Sequence, residues 1–164
     1  MVTRNNGGVH RRPRRTTTTD TTDTTDSSSP TSPSRKLTEV AMADMETALK
    51  ELMQIDGAVG VALVDYNSGM ALGVLGGSKD LDLTVAAAGN TDVVRAKMRT
   101  IEMLNMKDGI EDILITLANQ YHLIRPVTGR SGKGLFIYLA LNRQRANLAL
   151  ARHQLSRVED DLEI

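Results

Sequence analysis

The residues that first suggest chemistry are Gly129-Arg130-Ser131-Gly132-Lys133-Gly134. A Gly-Lys pair in a glycine-rich loop is how many proteins hold a nucleotide: backbone N–H groups cradle the phosphates and the Lys neutralises them. The spacing fails here. That motif needs four residues between its first Gly and the Gly-Lys pair, then a Ser or Thr to reach magnesium. Gly129 precedes Gly132 by only three positions, and Gly134 follows Lys133. The context fails as well. A phosphate loop opens a helix whose N-terminal N–H groups face the anion. This loop runs into Leu135-Phe136-Ile137-Tyr138-Leu139-Ala140-Leu141, which reads as a strand. Its glycines read as a chain reversal between two strands, with Lys133 keeping the tip in water.

The other reactive side chains are equally dispersed. His10, His122 and His153 have no second ligand at metal-binding spacing. There is no cysteine, which removes disulfides, thiolate metal sites and cysteine nucleophiles together. Ser68 and Ser131 sit among turn residues without a base nearby in sequence. Asp65 opens Asp65-Tyr66-Asn67-Ser68-Gly69, where a carboxylate commonly bonds its own backbone. Glu111 and Asp112 are adjacent, so on a strand they point to opposite faces. No catalytic constellation, cofactor site or metal site emerges, and the expectation is a protein that is not an enzyme.

Composition narrows the partners. The chain has 164 residues, with 20 basic and 20 acidic, so no net field advertises nucleic acid or an anionic membrane. Tryptophan is absent and phenylalanine occurs once, which leaves little to stack on bases. No stretch approaches the roughly twenty apolar residues of a membrane span. The expectation is a cytoplasmic protein with no nucleic-acid partner and no direct membrane insertion. Residues 1–34 form a distinct piece, with five Arg, a repeated Thr-Thr-Asp unit and almost nothing to bury. They read as a disordered Thr/Arg-rich tail whose hydroxyls could take phosphates. Residues 35–164 read as one folded domain.

The elements that must position any site follow from periodicity. Met42, Met45, Leu49 and Leu52 recur at spacings of three and four, which predicts a helix over 37–55 with Thr38 at its start and Gly57 at its end. Two apolar runs, 59–64 and 70–75, flank the turn at 65–69 and predict a hairpin. A long helix is predicted over about 80–105, with Asp80 and Asp82 suited to its N-terminal end. Val85, Gly89, Val93 and Ala96 make one stripe along it; Val94, Met98 and Ile101 make an adjoining one. Gly89, within Ala86-Ala87-Ala88-Gly89, costs about 1 kcal/mol against Ala in an exposed helix. That face is therefore expected to pack on the sheet or on another chain. Arg95 and Arg99 lie one turn apart on a different face, a solvated face or a contact for an acidic partner.

Three strands and a helix complete the pattern. Ile113 to Leu117 is a short β-branched run, Gln120 to Pro126 alternates, and Leu135 to Asn142 is apolar throughout, as a central strand would be. The last helix is predicted over about 143–162, with Glu159, Asp160 and Asp161 as its solvated end. The order helix-β-β-helix-β-β-β-helix predicts an α/β domain around a five-stranded antiparallel sheet. The third strand is a candidate edge. An edge rich in Ile and Leu is an aggregation hazard that pairing with a second copy removes.

The order of elements, with Gly57–Gly73, Asp112–Val127 and Leu135–Leu155, resembles the roadblock/LC7 family. It is similar to the bacterial members encoded beside small Ras-like GTPases in actinobacterial conservon operons. The resemblance implies a profilin-like architecture and a homodimer in which third strands pair across a two-fold axis and long helices lie side by side. Carried onto this chain, the dimer interface is Ile113, Leu114, Ile115, Thr116 and Leu117 with Ala86, Gly89 and Val93. The resemblance also implies a small Ras-like GTPase as partner, for which Arg95 and Arg99 are the candidate contacts. A sensor histidine-kinase-like protein is a further implied partner, and recruitment to a membrane would go through a partner. The function implied is a non-catalytic scaffold or regulator of the GTPase in a signalling complex. The competing expectation is a PAS- or GAF-like sensing module, which sets helices around a similar sheet and needs an internal cavity.

Overall fold

The computed structural model describes residues 33–164 except Ser131 and Glu163. The predicted tail, residues 1–34, lies outside the described residues but for Pro33 and Ser34, which open the first helix. The elements are α1 (Pro33–Met53), β1 (Ala58–Asp65), β2 (Met70–Gly76), α2 (Leu83–Met103), β3 (Ile113–Thr116), β4 (Gln120–Pro126), β5 (Leu135–Asn142) and α3 (Leu148–Asp160). Every predicted element is present, in the predicted order.

All neighbouring strands run antiparallel, in the order β2-β1-β5-β4-β3. The central place of β5 explains its unbroken apolar run, because both its faces are covered. Val61, Leu63, Leu123, Ile137, Leu139 and Leu141 face α1 and α3. Ala62, Val64, Ile124, Phe136, Tyr138 and Ala140 face the α2 side. Each fully buried aliphatic or aromatic side chain contributes about 1.5–3 kcal/mol.

Local chemistry sets the ends. Asp82 caps α2, its Oδ1 accepting from the Thr84 and Val85 amides at 2.9 and 3.1 Å. Asn105 ends that helix in the left-handed region at φ 53°, while the Met106 amide reaches back to the Ile101 carbonyl. Asn147 caps α3 through the Leu150 amide. Thr38 does not cap α1: its hydroxyl donates to the Ser34 carbonyl one turn earlier, because the helix starts at Pro33. Asp65 does the turn work expected of it, accepting from the Asn67 amide at 2.9 Å and the Ser68 hydroxyl at 2.7 Å. Those bonds hold its carboxyl below the usual range.

The sheet edges are β2 and β3. At Gly73 in β2, an added Cβ would come within 2.8 Å of Leu49 Cδ1, so the ends of α1 side chains rest against the bare backbone of this edge.

Candidate functional site

The surface that α2 and β3 present together is the candidate site. The inner face of α2 buries Leu83, Ala87, Thr91 and Val94, and the Thr91 hydroxyl is satisfied by the Ala87 carbonyl at 2.8 Å. Met98 and Ile101 are half-buried, so the stripe beginning at Val94 is the one that faces the sheet. Val85, Gly89, Val93 and Ala96 lie on the opposite side and are exposed, Val85 at 69%. A Cβ added at Gly89 would meet nothing within 4 Å. Ala86 differs from these: it is half-buried and packs against the α2-side core.

β3 is the sheet edge nearest in kind to what was expected. It pairs only with β4 among the described strands, so one side of its backbone is unpaired. Ile113, Leu114 and Ile115 are half-buried and Thr116 is exposed. Leu117 falls just past the strand, where its amide turns back to the Gln120 carbonyl. Ile113 and Ile115 face the α2 side of the sheet. Yet α2 packs on β1 and β2, at the far end of that face. The half of the sheet formed by β4 and β3 therefore keeps apolar side chains partly open on the same side as the uncovered stripe of α2.

His122 sits in that half. Its register partners are Ile115 in β3 and Ala140 in β5. Nε2 lies 2.9 Å from Gln120 Oε1, and Nδ1 lies 3.2 Å from the Tyr138 hydroxyl, with the two rings edge to face. Burial pushes the imidazole below its ordinary pKa and the Tyr138 phenol up to about 12.

The two arginines have different surroundings. Arg95 Nε donates to the Tyr66 carbonyl at 2.8 Å, and its Nη2 donates to the Asn67 carbonyl. Its guanidinium thus ties α2 to the β1–β2 turn. Arg99 is exposed on the next turn of the helix, and no side-chain hydrogen bond or ion pair engages it among the described residues.

The similarity to known structures is specific. Myxococcus xanthus MglB matches with a TM-score of 0.64 and 18% identity, over 73% of this chain and 85% of that one. A roadblock/LC7 domain from Streptomyces avermitilis matches with a TM-score of 0.60 and 12% identity, over 71% and 92%. The gliding protein MglB of Thermus thermophilus matches with 0.57 and 15%, over 74% and 92%. The fold is that of a roadblock/LC7 domain. No protein-family model and no curated protein sequence matches the chain. The roadblock/LC7 resemblance read from the order of elements is therefore carried by shape.

The roadblock/LC7 fold holds two polar contacts that the linear sequence hid. Glu159 is not part of a solvated helix end. It is 2% exposed, and accepts from the Thr128 amide and hydroxyl at 2.7 and 2.8 Å and from Arg125 Nε at 3.2 Å. Burial alone would raise its pKa, but the bonds from Thr128 and Arg125 outweigh burial and hold it low. Arg125 also donates to the Ser156 hydroxyl. The signal was a charged residue at the helical spacing of the apolar seam, four positions after Leu155. The second contact is a paired grip by Arg152 Nε and Nη2 on Asp112 at 2.9 and 2.7 Å, which fixes the chain just before β3 to α3. Asp112 is thus held by Arg152, while Glu111 beside it is exposed.

The glycine loop has the role expected of it. It joins β4 to β5; Gly134 takes φ 98°, and a Cβ on Gly132 would run into the Val127 side chain. Lys133 is exposed. No cluster of three potential metal ligands occurs among the described residues. No helix among them is long and apolar enough to cross a membrane.

Proposed function

We propose that the chain is a non-catalytic roadblock/LC7-type homodimer that binds a small Ras-like GTPase and modulates its nucleotide cycle in a cytoplasmic signalling complex. One observation carries the dimer: the uncovered stripe of α2, with Gly89 open to close approach, lies on the same side as the half-covered β3 edge. A second copy related by a two-fold axis would pair Ile113–Thr116 with its own counterpart. It would also bring the two α2 helices together at Gly89 and Val93, leaving Ala86 on the inner side. One of the similar structures is MglB in a tetrameric arrangement, which supports self-association as a habit of this fold.

The GTPase is proposed from the resemblance, supported by the absence of a catalytic constellation in the sequence. Arg99 is the better placed of the two candidate contacts, because its guanidinium is not engaged within the described chain. Arg95 would act by holding the β1–β2 turn in position beside it. The conservon setting and the sensor histidine-kinase-like partner rest on the resemblance alone.

Titrating the full chain against a small Ras-like GTPase, loaded with GDP or with a non-hydrolysable GTP analogue, tests the reading. Binding that depends on the nucleotide and weakens on Arg99→Glu is expected. Equal, negligible binding in both nucleotide states would count against the GTPase. A clean monomer at micromolar concentration on light scattering would count against the dimer.

A further inference from the structure

We propose that self-association through β3 and α2 is coupled to pH by His122, with the neutral ring favouring the assembled form and acid favouring separate copies. The inference rests on the dimer reading above and concerns its regulation.

The geometry defines one protonation state. Nε2 faces an amide oxygen, so it carries the hydrogen and donates to Gln120. Nδ1 then accepts from the Tyr138 hydroxyl. Both ring nitrogens are satisfied in the neutral form, and the phenol has its acceptor. A second proton on Nδ1 reverses that bond: the phenol must accept, and its own hydrogen loses the partner it had. Tyr138 has no exposure to water to replace it.

No carboxylate is hydrogen-bonded or ion-paired to the ring among the described residues. From β5, Tyr138 is the one titratable group on this face, and burial keeps it protonated. From β3, Ile113 and Ile115 face the same side, and from β4 the same-face neighbours are Gln120 and Ile124. Arg125 lies on the opposite face of β4, held by Glu159. From α2, Met98 packs against this cluster. In a single copy the ring is half-buried, so water still screens an imidazolium. A second copy paired at β3 would take that water away, so the assembled form resists the proton more than the separate form does. Proton uptake must then drive dissociation, by linkage.

The test is sedimentation of the full chain at pH 7.5 and 5.5, with His122→Gln beside it. Glutamine keeps an acceptor for Tyr138 and takes no proton. The dissociation constant is expected to rise by roughly tenfold or more on acidification and to stay level in His122→Gln. A Gly89→Arg variant places a charge on the outer face of α2 and is expected to be monomeric; in it, the His122 ring-proton NMR shift should titrate at higher pH than in the dimer. A dissociation constant unchanged by acid, or an acid response that survives in His122→Gln, would overturn the proposal while leaving the dimer intact. A chain that is already monomeric at pH 7.5 would overturn the dimer itself, and the coupling with it.

Discussion

The two faces of α2 are built from similar residues and meet opposite fates. Leu83, Ala87, Thr91 and Val94 are buried against the sheet, whereas Val85, Gly89, Val93 and Ala96 stand in solvent. Small and apolar residues on a helix normally mark the side that packs, and here both sides carry them. The inner face is stabilised by burial within one copy. The outer face costs helix propensity at Gly89, about 1 kcal/mol, and no contact at Gly89 within the described chain offsets it. Periodicity thus locates small and apolar faces but does not say which of them packs within one copy.

A charge placed on each face should have very different effects. Ala87→Asp should destabilise the fold by at least about 4 kcal/mol, because it strands a carboxylate at a site with no exposure. Val85→Asp should stay within about 0.5 kcal/mol of its parent when both are measured by urea unfolding in a Gly89→Arg background. Equal losses would mean that the two faces do not differ within one copy.

The end of α3 repeats the contrast on a smaller scale. Glu159 and Asp160 are neighbours, one buried and one exposed. Glu159→Ala should cost about 3 kcal/mol, since it leaves Arg125 and the Thr128 amide without their acceptor. Asp160→Ala should fall within about 0.5 kcal/mol. The pH dependence has a definite sign. The folded carboxyl lies below its ordinary range, so its stabilisation is fully present above the unfolded value of 4.5 and is lost as pH falls through the folded value. Urea midpoints followed from pH 6 to 3 should therefore drop more steeply in the parent than in Glu159→Gln.

Arg152→Ala should act mainly on the β3 edge. Arg152 is 46% exposed, so solvent discounts the pair with Asp112 to about 1 kcal/mol or less. Its larger signature should be faster hydrogen exchange in Ile113–Thr116, the strand that the pair anchors. Unchanged exchange there would show that β3 is placed without it.

The order of elements, the antiparallel sheet, the central β5 and the edge β3 were all legible in the sequence, because each follows from local periodicity and short connections. The turn role of Asp65 and the place of Asp82 at the N-terminal end of α2 were legible too, though its capping bonds to Thr84 and Val85 were not. Glu159 was not, because its partners come from β4 and the loop after it, more than thirty positions away. An acidic run at a helix end reads as solvated until Thr128 and Arg125 are seen across from it. Thr38 reads as a cap because the helix continues back to Pro33 through residues with no apolar period. Arg95 reads as a surface cation, and only the folding of the β1–β2 turn onto α2 gives it two carbonyls to hold. His122 reads as a lone strand histidine; its network needs β5 in register beside it.

We propose that the outer face of α2 belongs to a second copy, and Gly89 is the position at which to test it. No atom lies within 4 Å of where its Cβ would be, so one copy has room for any side chain there. Gly89→Arg should therefore keep or slightly raise the unfolding free energy of a single copy, while light scattering at micromolar concentration changes from the mass of a dimer to that of a monomer. A variant that stays dimeric, or a parent chain that is monomeric beforehand, would contradict the account.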